Sequence, residues 1–118
     1  MSTIGLVAVT VVGLLHFYFL VLEMFLWTKP AGMRIFRLTP EKAEASRVLA
    51  ANQGLYNGFL GAGLIWSAWL RPDFHVVLFF LACVIIAGIY GALTSSRKIL
   101  YVQALPALVA LALLHIPR

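Results

Sequence analysis

The residues able to do chemistry in this 118-residue chain stand inside otherwise apolar stretches: His16, Glu23, Asn52, Gln53, Tyr56, Asn57, Tyr90 and Gln103. Glu23 and His16 are a carboxyl group and an imidazole, the types that serve as acid and base on a bound molecule. The amides and phenols can fix the polar end of a ligand, or they can bind one another between helices. Three amides and a phenol crowd into one string, Ala51-Asn52-Gln53-Gly54-Leu55-Tyr56-Asn57-Gly58-Phe59. If lipid surrounds such groups, each must be satisfied by another helix or by a ligand, because hydrocarbon offers no partner. A carboxylate at Glu23 would cost about 2.5–3.5 kcal/mol there even on the lenient insertion scale, which argues against an ornamental role.

The composition says that lipid is the expected surrounding. Hydrophobic residues make up 63% of the chain, charged residues 11%, and the mean hydropathy is +0.99. Soluble domains are roughly 45–50% apolar and about 25% charged. The expectation is therefore an integral membrane protein with one transmembrane domain over residues 1–118. The net charge of +5 does not call for nucleic acid, since the basic residues flank apolar runs and the aromatic residues lie within them. No nucleic-acid partner is expected. A lone Cys83 excludes an intramolecular disulfide and a cysteine-based metal cluster. With no His-Glu-x-x-His motif and no histidine pair one turn apart, no metal site is expected either. A haem on His16 would have a single axial ligand, and no motif names any other cofactor.

Four apolar runs have about the length that a helix needs to cross a bilayer: 4–28, 48–70, 74–94 and 99–116. Arg71-Pro72-Asp73 and Ser95-Ser96-Arg97-Lys98 are short turns, and short turns make the helices they join antiparallel neighbours. The expected fold is all-α, a four-helix membrane bundle of up-down topology with a basic loop between the first two helices. The first run lacks a basic leader and a small-residue cleavage site, so it is expected to be retained.

Lysine and arginine counts orient the bundle. Lys29, Arg34, Arg37, Lys42, Arg47, Arg97 and Lys98 fall on one side, Arg71 and Arg118 on the other. Under the positive-inside rule both termini lie outside the cytoplasm, with loop 29–47 inside. In that loop Met33, Ile35, Phe36 and Leu38 alternate with Arg34 and Arg37, a pattern suited to a stretch lying on an anionic leaflet. Thr39-Pro40-Glu41 predicts a helix start, with Thr39 as cap and Pro40 at the first helical position. A Glu44–Arg47 pair is expected on its solvated face.

With this topology all four runs bring a polar side chain to one layer. The expected site is a pocket in the cytoplasmic half, floored by His16, with Glu23 and Asn52 carrying function and Asn57 mainly holding helices together. Gly54 and Gly58 form a GxxxG face continued by Gly61 and Gly63, and Gly88 and Gly91 form another. Such faces bring helix backbones close, within one chain or in a homo-oligomer through Gly54 and Gly58. Trp27, Trp66 and Trp69 are expected at the membrane interfaces. Pro106 should free the Val102 carbonyl and kink the last helix.

Leu15-His16 with Glu23, the string from Ala51 to Phe59, Gly88-Ile89-Tyr90-Gly91-Ala92, and Val102-Gln103 with Pro106 together resemble a family of small bacterial four-helix membrane proteins. That family is catalogued as domain of unknown function 1304. The resemblance covers nearly the whole chain and implies an architecture and a location in the bacterial inner membrane, with no activity to carry over. Three readings stay open: a protein that binds or carries a small lipophilic molecule, a helical subunit that stabilises another membrane protein, and a membrane enzyme using Glu23 and His16 on a lipid-like substrate.

Overall fold

The computed structural model describes residues 1–117, and among these the chain is all-α, with five helices and no strand. They are α1 (Thr3–Met24), α2 (Pro30–Phe36), α3 (Pro40–Ile65), α4 (Phe74–Thr94) and α5 (Leu105–Leu114). A π-helical turn, Trp66–Leu70, continues α3, and a second, Leu100–Ala104, leads into α5.

Local chemistry sets most of the boundaries. Thr39 Oγ1 accepts from the Lys42 N–H at 3.2 Å and Pro40 opens α3, as the sequence predicts. Glu44 and Arg47 pair at 3.2 Å on the exposed face of the same helix. The Asp73 carboxylate caps α4, accepting from the N–H groups of His75 at 2.9 Å and Val76 at 3.3 Å.

Two helices, α1 and α4, are long and apolar enough to cross a membrane. The other two expected spans differ from them in kind. Run 48–70 is the second half of α3 plus its π-helical turn, and three amides and four glycines dilute its apolar character. Run 99–116 is shorter than expected: Leu100–Leu114 rises about 22 Å, against a hydrocarbon core of about 30 Å. Just before Pro106, where the sequence predicts a kink, the structure has a wide turn. Proline has no N–H for the carbonyl four residues back, and just before it the Leu105 N–H reaches the Leu100 carbonyl, five residues away.

The chain folds as two compact units, Leu15–Gly61 and, separately, Met1–Leu14 with the chain from Ala62 onward. In the first, α1 and α3 run antiparallel. Gly54 lies against Met24, Glu23 and Leu20, and Gly58 against Leu20. In the second, α4 presents Val77, Leu81, Val84 and Gly88 along one buried stripe, and the segment carrying Ala104, Ala107 and Ala110 presents small buried residues. A β-carbon at Gly88 would come within 2.7 Å of the Ala104 nitrogen, and one at Gly91 within 2.9 Å of Ile99. These two contacts fix an antiparallel register. Trp69 Nε1–H donates to Thr10 Oγ1 at 2.6 Å within the same unit, giving one of the predicted interface tryptophans a protein partner.

Gly88 and Gly58 should differ in their tolerance of alanine. Gly88→Ala meets backbone that cannot move aside, so thermal unfolding should show a loss of about 1–3 kcal/mol. Gly58→Ala meets only the end of the Leu20 side chain, at 2.5 Å, which can rotate away. Its loss should be the smaller of the two.

Candidate functional site

Glu23 sits in the last turn of α1 and is only 5% exposed. Asn57 Nδ2–H, from α3, donates to its Oε1 at 2.5 Å. The sequence places Asn57 between the two glycines of the GxxxG, and the geometry explains why. A β-carbon at Gly54 would lie 2.8 Å from Met24 Cγ, 3.1 Å from Glu23 Cβ and 3.2 Å from the Leu20 carbonyl oxygen. Without it α3 closes on α1 at this level, and the short asparagine side chain one turn on reaches the carboxyl group. The partner is a neutral amide. Among the described residues Glu23 makes no ion pair, and Lys29 is exposed. Every fully buried side-chain nitrogen or oxygen among the described residues has a hydrogen-bond partner.

Helical phase sorts the remaining candidates. Ala43, Ala50, Gly54, Asn57, Gly58 and Gly61 form the buried stripe of α3 in this unit. Asn52 lies about 140° around the helix from Asn57 at 100° per residue, and it is exposed. Gln53 is exposed at the stripe's edge, and Tyr56 is 59% exposed with its ring edge-on to Phe59 at 5.7 Å. Asn52, expected to act with Glu23, is thus on another face, and Asn57 takes the position beside the carboxyl group.

His16 is fully buried on α1, its ring edge-on to Phe19 at 5.3 Å. It is two turns from Glu23, about 10 Å along the axis. Tyr90 and Gln103 belong to the other unit, where Tyr90 is 68% exposed and Gln103 half-buried in the π-helical turn before α5. The structure therefore brings Glu23 and Asn57 together, keeps His16 on the same helix, and turns Asn52, Gln53 and Tyr56 outward. One contact went unread in the sequence: Trp27 Nε1–H donates to Ser46 Oγ at 3.0 Å, tying the end of α1 to the first half of α3. The signal was a serine on the stripe of small residues, one turn before Ala50.

Residues 10–115 match the family described as "Protein of unknown function (DUF1304)". The chain belongs to this family. It is also 34% identical, over 114 residues, to a protein named "Uncharacterized protein YpaA" from Lactococcus lactis subsp. lactis (strain IL1403), an alignment covering 94% of this chain and 96% of that one. No solved structure matches.

The hydrogen-bonded pair and the outward amide should respond in opposite ways to truncation. Asn57→Ala strips a buried carboxyl group of its donor and should lower stability by about 1–3 kcal/mol. Asn52→Ala should change it by no more than about 0.5 kcal/mol. Paired melting curves of the two variants in one detergent check both values.

Proposed function

We propose that the chain is a multi-pass protein of the bacterial inner membrane, with four antiparallel crossings and both termini outside the cytoplasm, and that it binds or carries a small lipophilic molecule whose polar end is held at Glu23. The membrane reading is supported by an exposed apolar stripe. Along α1 and just past its end Ile4, Val7, Val11, Leu14, Tyr18, Val21 and Phe25 are exposed at alternating spacings of three and four, while the other face buries Leu6, Val9, Val12, His16, Leu22 and Glu23. Water would leave such a stripe without a partner, and acyl chains would not. Support for the outside termini comes from the concentration of lysine and arginine in 29–47 and 97–98.

The observation that carries the binding reading is the choice of partner for Glu23. Two amides, or two apolar residues, would join α1 to α3 without the cost of a carboxyl group in an apolar setting. Asn57 is seen to engage Oε1. A carboxyl group offers two acceptor oxygens, so a ligand carrying a hydroxyl or amine could be anchored beside the pair. Its tail would lie among apolar side chains, the usual make-up of such sites.

Two measurements test this. A reporter active only outside the cytoplasm should work when fused after Arg118 or at Asp73 and fail when inserted near Glu41; the reverse pattern would overturn the orientation. Glu23→Gln keeps shape and hydrogen bonding while removing the acid, so it should fold with a melting temperature near that of the parent. Protein extracted with its native lipids should then show, by mass spectrometry, loss of the small molecule retained by the parent chain. Equal retention by the two would end the binding reading.

A further inference from the structure

The basic segment between α1 and α3 is folded. Pro30 starts α2 at a position where the missing N–H is harmless, and the helix ends after seven residues at Phe36. Phe36 packs on Trp27 with ring centroids 4.7 Å apart, and Trp27 is itself held by Ser46. Gly32 is buried against the backbone of Leu26 and Trp27, where a β-carbon has no room. Gly32 is buried and Phe36, itself partly exposed, packs on Trp27, while Arg34 and Ile35 are exposed.

The end of α2 is closed with an unusual residue. Arg37 adopts φ 54° and ψ 50°, and its N–H and that of Leu38 both donate to the Met33 carbonyl. Such a closing turn ordinarily carries glycine or asparagine, because a β-carbon is strained there. Here an exposed arginine occupies it. Lys29, Arg34, Lys42 and Arg47 are also exposed around this strap, and among the described residues only Arg47 has an ion-pair partner, Glu44.

We propose that the α2 strap is a docking surface for anionic phospholipid headgroups, with Lys29, Arg34 and Arg37 on lipid phosphates and Ile35 at the edge of the acyl region. The proposal rests on the membrane reading above. Charge complementarity selects the occupant: five exposed cations stand against two carboxylates in 29–47, one of them already paired. Position selects it too. The strap follows directly on the cytoplasmic end of an apolar helix, beside a tryptophan whose ring is apolar and whose N–H is bonded, and this is headgroup depth. An acidic protein partner would need no apolar residue among the cations, whereas a lipid surface accommodates Ile35 and the arginines together.

The test uses the full chain in neutral detergent micelles doped with phosphatidylglycerol or with phosphatidylcholine, read by thermal unfolding. Phosphatidylglycerol should raise the melting temperature, phosphatidylcholine should not, and added salt should shrink the shift. Arg34→Gln with Arg37→Gly should abolish most of the shift, while Arg97→Gln, on the other basic turn, should preserve it. Arg37→Gly alone separates binding from folding: with no anionic lipid it should melt higher than the parent, because glycine relieves the positive φ, and yet its phosphatidylglycerol shift should be smaller. Equal shifts with the two lipids, an undiminished shift in the double variant, or the same shift from free glycerol phosphate would overturn the proposal. A chain that fails to float with phosphatidylcholine vesicles after an alkaline wash would overturn the membrane reading and this proposal with it. One that floats but responds alike to both lipids overturns the proposal alone.

Discussion

The hydrogen bond from Asn57 to Glu23 joins α3 to α1 at a level where two glycines let the helices lie close together. Gly54 and Gly58 remove the β-carbons that would hold the helices off, the first about one turn before Asn57 and the second next to it. The polar contact and the glycine face are therefore one device. Each depends on the other, because the bond satisfies a carboxyl group that close packing would otherwise bury unpaired, at a cost exceeding that of a neutral group. Ala43, Ala50 and Gly61 are buried on the same small face of α3. Leu20 and Met24 of the same chain lie against Gly54 and Gly58.

What could be read from the sequence follows the range of the interactions involved. Caps and turns are decided by residues a few positions apart, so Thr39, Pro40, the Arg71–Asp73 turn and the Glu44–Arg47 pair were legible, although Asp73 as the cap of α4 was not read. The existence of a buried carboxyl site was legible as well, from the cost of Glu23 in an apolar run. Its partner was not. Residues 50–61 mix alanine, glycine, amides and phenol on every face, so hydrophobic periodicity gives no phase, and Asn52 and Asn57 differ only by a rotation that the packing of α1 decides.

The π-helical turns and the strap escaped for related reasons. A shift from four-residue to five-residue bonding at Leu100–Ala104 changes no residue type, and Pro106 signals only that something must adjust. Helix α2 has seven residues, too few for intrinsic propensity to hold it. It exists because Trp27, Gly32 and Phe36 seat it on the end of α1, a tertiary contact that an alternating pattern of arginine and apolar residues conceals.

Helix α1 carries the argument about setting to its end. In a soluble protein the exposed face of a helix is polar; α1, apolar on nearly every face, exposes six large apolar residues and buries His16 and Glu23 together with Leu6, Val9, Val12 and Leu22. In the proposed membrane setting the exposed face would meet surroundings as apolar as leucine, and each polar group would have to be satisfied from within the protein. Among the described residues the fully buried ones are. A molecule held at Glu23, as proposed, would bring a donor of its own, or displace Asn57 and offer an equivalent bond. Either route would favour a ligand with a hydroxyl or amine on an apolar body over one that is apolar throughout.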